Sequence, residues 1–331
     1  MNDQISEKLK KKFITNLALL LLLNLLIKPF WMFGIDRTVQ NTVGAEDYGF
    51  YFSLFSLSIL LNIILDLGIN NFNNRSIARD HSIFQKQLTG IIPLKFLLAV
   101  VYAIVVISAG LILNYTGKQF KFLGILILNQ FLLSFITYLR SNISGLHFFR
   151  TDSIISVLDR LFMIIICGTL LWGGITQEPF KIEWFILAQT GSYSMVLLIA
   201  LSIVLYKSGR INLSFSGSFA KKILQQSYPF AILILLMSFF NRIDSVMLES
   251  LLPDGKEQTG IYAQAFRILD ASAMFAALFA GLLLPIFSRM IKKGEDIGEM
   301  VKLSYSLVIV PAFSLVIISF FYSHEIIDLL Y

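Results

Sequence analysis

The sequence predicts an all-α, polytopic membrane protein with about nine transmembrane helices. Three observations predict it. Of 331 residues, 56% are hydrophobic and only 15% are charged, against roughly 25% charged in soluble domains. Apolar stretches long enough to cross a bilayer recur at 13–33, 50–70, 91–113, 122–143, 155–175, 184–206, 227–249 and 302–322, with a less hydrophobic one at 260–284. Lysine and arginine fall on alternate loops with about threefold bias, which predicts a multi-pass protein with a cytoplasmic N-terminus.

The first span follows a basic segment that carries Lys8, Lys10, Lys11 and Lys12. No small-residue cleavage site follows it, so it reads as a retained helix and not as a leader. Lys28 lies past its middle, with Asn24 one turn earlier on the same face, and Pro29 frees a carbonyl and bends the helix. Trp31 then marks the interface. A short polar crossing is expected next, with Asp36, Arg37 and a turn at Gly44–Gly49.

The second span ends at Asp66-Leu67-Gly68, where Asp66 is expected to cap or to pair with Arg75 or Arg79. Spans three to six are apolar, with loops too short for a soluble domain. Lys95, Arg140, Arg160 and Lys302 fall near expected inner ends and are expected to snorkel to the interface. The seventh span places Ser238, Asn241, Arg242, Ser245 and Glu249 on one stripe. In the eighth, Gln264, Arg267 and Ala271 share a face, and Asp270 lies within pairing distance of Arg267 at i+3.

Composition narrows the function classes. The net charge of +6 is explained by cytoplasmic loops, so no nucleic-acid partner is expected. The lone Cys167 has no disulfide partner, and His81, His147 and His324 lie in different segments without ligand spacing, so neither a metal nor a cofactor is expected. The chain lacks a phosphate-cradling Gly-rich loop, a nucleophile elbow and a His-Glu-x-x-His motif, which points away from an enzyme and from ATP coupling within this chain.

Ile35-Asp36 followed by Tyr48-Gly49-Phe50-Tyr51 recurs, about 210 residues later, as Ile243-Asp244 followed by Thr259-Gly260-Ile261-Tyr262. Repeats of this kind mark transporters, with the binding site between the two halves. The division expected from it is a six-helix lobe over 1–210 and a partial, three-helix lobe over 211–331.

One stretch carries a family resemblance. Arg37…Val43-Gly44…Asp47-Tyr48-Gly49…Tyr51, then Leu65-Asp66-Leu67-Gly68-Ile69 and Arg75-Ser76-Ile77-Ala78-Arg79, resembles the N-terminal signature of bacterial oligosaccharide flippases. These form the polysaccharide transport branch of the multidrug/oligosaccharidyl-lipid/polysaccharide exporter superfamily. The resemblance implies a MATE-like architecture of two six-helix bundles, the second cut short here, working by alternating access.

It also implies a cargo: a polyprenyl-diphosphate-linked oligosaccharide, the precursor of O-antigen or exopolysaccharide. The lipid bilayer, a polysaccharide polymerase and chain-length machinery are the implied partners. By resemblance Lys28, Arg242 and Arg267 are the candidate headgroup ligands, with Asn24, Asn241, Asp270 and Arg37 as polar neighbours. Arginine forks suit phosphate oxygens. The alternatives are a cation-coupled multidrug exporter of the same superfamily, which wants acidic and aromatic lining, and a membrane glycosyltransferase or polymerase, which wants a larger outer loop.

Overall fold

The computed structural model describes residues 22–24, 26–174, 178–209, 214–273, 296 and 298–330. Among the described residues there is no strand. Hydrocarbon offers no partners to N–H and C=O groups, and a helix satisfies both within itself, so the apolar runs wind as helices.

α1 comprises 22–24, 26–29 and the π-helical stretch Phe30–Asp36. Pro29, which has no N–H to give the preceding turn, stands immediately before the wider winding. α2 is Arg37–Leu60, and Gly44 interrupts it at φ 83° and ψ 167°, a region that only glycine enters freely. The chain reverses there. The Tyr48 hydroxyl lies 3.0 Å from the Asp36 carboxylate, and the Phe185 ring lies 5.8 Å from Trp31 and 5.3 Å from Tyr51. In a straight helix Trp31 and Tyr51 would be about 30 Å apart. The expected polar crossing is therefore a single-residue hinge, and Asp36 and Arg37 lie on helix before it.

The second span is also broken. A 3-10 turn, Asn62–Leu65, and positive φ at Leu67 and Gly68 precede α3 (Ile69–Arg79). α4 (Phe84–Ile112), α5 (Gly117–Gly145), α6 (Phe149–Trp172), α7 (Ile182–Ser208) and α8 (Gly217–Leu251) follow. α9 covers 255–273, and α10 (Gly298–Phe321) and α11 (Ser323–Leu330) close the described chain. Among the described residues five helices are long and apolar enough to cross a membrane, or six if the bent pair of Leu22–Leu60 and Asn62–Arg79 counts as one span. The expected spans 13–33 and 260–284 run partly outside the described residues.

α5 is the hub, touching α2, α3, α4, α6 and α7. Two apolar clusters pack around it, one with Trp31, Tyr51, Phe52 and Phe185, the other with Leu88, Ile91, Ile136 and Tyr193. On α4, Phe96, Val100, Ile104, Ile107 and Leu111 are exposed on one stripe, which is the face a helix turns to acyl chains.

α8 packs along α2. Beside it the echoed segments meet in space. A Cβ on Gly49 would overlap the Lys256 carbonyl and the Gly260 amide, and one on Gly260 would overlap the Ala45 carbonyl. Backbone touches backbone there, and the Gln40 side chain donates to the Gly260 carbonyl at 3.1 Å.

The snorkelling expectation fails for Lys95 and Arg160. α4 starts at Phe84 and α6 at Phe149, earlier than the apolar stretches suggest, so these cations sit deeper than hydropathy placed them. Lys95 is 1% exposed and pairs with Asp66 at 2.8 Å in place of Arg75 or Arg79, while Asp66 Oδ1 also accepts from the Asn70 amide at 3.2 Å and so caps α3 as expected. Arg140 pairs with Asp152 at 2.7 Å, and Arg160 falls near the midpoint of α6.

Candidate functional site

Asp36, the last residue of the π-helical stretch, is 2% exposed. Arg267 of α9 reaches it, with Nε 2.8 Å from Asp36 Oδ2. Tyr48, carried back by the Gly44 reversal, bridges the pair. Its hydroxyl donates to Asp36 at 3.0 Å and accepts from Arg267 Nε at 3.2 Å and Nη2 at 2.9 Å. The Arg267 guanidinium also stacks 5.2 Å above the Phe52 ring.

Asp270 joins the two arginines. Its Oδ2 lies 3.6 Å from Arg267 Nη1 and 3.4 Å from Arg242 Nη2 of α8. Arg242 lies 4.8 Å over Phe266, and its other terminal nitrogen, Nη1, is buried with no hydrogen-bond partner among the described residues. A buried guanidinium donor without an acceptor is costly, and most such groups have a partner.

A second cationic group adjoins the first. Arg160 of α6 stacks 5.4 Å over Trp31 and lies 3.7 Å from Asp159. It is within electrostatic reach of Asp36 on one side and of the half-buried Lys28 on the other. Arg140 and Asp159 also act on Lys28. Lys28, Arg160, Arg242 and Arg267 thus lie with the carboxylates Asp36, Asp159 and Asp270, and Asp244 stands beside Tyr262 next to them.

The expected set is only partly assembled. Arg242, Arg267 and Asp270 come together. Lys28 lies with Arg160 and Arg140 and connects to the arginine pair through Arg160 and Asp36. Asn24 is buried on α1, and its side chain is not free. Asn241 is exposed and donates to the Met237 carbonyl of its own helix at 2.8 Å.

Arg37 is elsewhere. It donates to the Leu329 carbonyl at 2.7 Å and to the Leu330 carbonyl, so it caps α11. Cavities of about 760 and 340 Å³ lie at the two ends of α8, and none of the four cations lines either. In this state aromatic rings and carboxylates enclose the guanidinium groups.

Sequence reasoning missed Asp36, Tyr48 and Arg160. Asp36 and Tyr48 stood inside the echoed segment, which was the signal available. In the second copy Thr259 stands in the place of Tyr48, and it is Tyr262, the counterpart of Tyr51, whose hydroxyl lies 3.3 Å from Asp244 Oδ2.

A family model described as polysaccharide biosynthesis protein matches residues 13–291. The curated proteins compared with the chain give no match. One solved structure it resembles is an outward-facing conformation of a multidrug resistance MATE family transporter of the MOP superfamily. The TM-score is 0.51 at 15% identity, over 96% of this chain and 74% of that one. The likeness is one of fold, and the MATE-like architecture expected from sequence agrees with it.

Proposed function

The chain belongs to the polysaccharide biosynthesis protein family, and on that premise we propose that it flips a polyprenyl-diphosphate-linked oligosaccharide across the cytoplasmic membrane. It acts as a transporter and not as an enzyme. A lobe of residues 1–210 and one beginning at 211 rock about the Asp36–Arg267 contact, with the N-terminus inside. The sugar-diphosphate head passes between the lobes while the polyprenyl tail stays in lipid.

The observation that carries the cargo assignment is the unpartnered Arg242 Nη1, beside Asp270 and Arg267. Such a site has an open guanidinium donor for a phosphate oxygen. Arg267 and Arg242 are held by Asp36 and Asp270, and an arriving diphosphate competes with those carboxylates for the same forks. Loading the headgroup therefore loosens the contact between α1 and α9 and couples binding to opening.

The test is accumulation of lipid-linked oligosaccharide in cells that carry Arg242→Gln, Arg267→Ala or Lys28→Ala as the only copy. Accumulation is expected for the two arginine variants first. Normal export by all three removes the cationic site from the mechanism.

A cation-coupled multidrug exporter is the second reading, favoured by the buried Asp36 among Tyr48, Phe52 and Phe266. In that case Asp36→Asn abolishes drug resistance, and the arginine variants leave oligosaccharide export untouched.

A further inference from the structure

The second span breaks where it carries a carboxylate. Beyond Leu60 the helix tightens into the 3-10 turn, and Leu67 and Gly68 take positive φ before α3 begins. In an unbroken helix the Ile69 amide would serve the Leu65 carbonyl. It bonds instead to the Asp66 carbonyl at 2.8 Å. The Leu65 carbonyl turns toward α4 and α5.

Three oxygens from two elements converge there: the Leu65 carbonyl, Asp66 Oδ1 and Ser134 Oγ. Lys95 Nζ lies 2.9 Å, 2.8 Å and 3.3 Å from them respectively. The Ser134 hydroxyl gives its own hydrogen to the Leu65 carbonyl at 3.3 Å, so it presents lone pairs to the ammonium. The Tyr138 ring lies 5.8 Å away and adds its negative face.

A carboxylate, a carbonyl released by helix unwinding and a hydroxyl make up an oxygen cradle of the kind that discontinuous membrane helices use to hold small cations. We infer that the break in the second span is a monovalent-cation site whose resident ion is the Lys95 ammonium, tethered through α4. It carries the same unit charge as sodium or potassium and cannot diffuse away. The wild-type protein therefore needs no dissolved cation at this place, and removing the ammonium creates a vacancy for one. This inference is independent of the cargo.

The test uses the full chain purified in detergent, with thermal unfolding followed in choline, sodium, potassium and methylammonium chloride at one ionic strength. The wild type is expected to unfold at the same temperature in all four. Lys95→Ala is expected to unfold early in choline, and at least one small cation is expected to raise its midpoint by about 5 °C. Asp66→Asn combined with Lys95→Met removes both charges and is expected to be indifferent to the salt. The inference is overturned if no small cation raises the midpoint of Lys95→Ala, or if that variant is recovered from membranes in none of the four salts. A wild type that responds to sodium as strongly as the variant overturns it too.

Discussion

Arg267 Nε meets Asp36 Oδ2 at 2.8 Å, and the Tyr48 hydroxyl sits on both partners. The Asp36 side chain is 3% exposed and that of Arg267 13%, so each charge depends largely on the other. Arg267→Ala leaves Asp36 unpaired and is expected to lower stability by about 3–5 kcal/mol, measured by thermal unfolding in detergent. Asp36→Asn combined with Arg267→Gln is expected to recover much of that loss. If the double variant is no more stable than the single ones, the two residues are not coupled in the folded protein.

Arg242 separates charge from geometry. Lysine keeps the charge and gives up the planar fork. Export in cells is expected to fall in the order wild type, Arg242→Lys, Arg242→Gln, while the unfolding temperatures of the two variants stay close. Equal export by lysine and arginine would mean that the fork is not read.

Gly49 and Gly260 predict a steric result. Alanine at either position forces two backbones apart, at roughly 1–3 kcal/mol. Gly124, where an added Cβ meets nothing within 4 Å, is the control. Gly124→Ala is expected to unfold like the wild type. A neutral Gly49→Ala would mean that the two helices do not touch.

Arg37 and Asn241 are expected to be dispensable for export. Arg37 caps the end of α11, and Asn241 bonds to its own helix on an exposed face. Arg37→Ala and Asn241→Ala should leave lipid-linked oligosaccharide at wild-type levels, while Arg160→Ala raises it. A strong accumulation in Arg37→Ala would return that residue to the site.

Helix type and membrane character were legible because both follow from local hydropathy. Arg242, Arg267 and Asp270 were legible because helical spacing places their charges on facing stripes. Depth was not. Hydropathy trims a helix where its polar first turns begin, so Lys95 and Arg160 were read as near the surface, although α4 and α6 start well before their apolar stretches. The partner of Arg267 was also hidden, because Pro29 and Trp31 suggested that the first helix ends before Asp36. Only a long-range contact through the Gly44 reversal shows otherwise.

The meeting of Gly49 with Gly260 has a mechanical consequence. Most helix joints mesh like gears, and parting them means moving each side chain out of its groove. This joint has no teeth. At Gly49 and Gly260 two bare ribbons lie flush, so parting them there breaks the Gln40 bond to the Gly260 carbonyl but pulls no side chain out of a groove, and they close again on the same footprint.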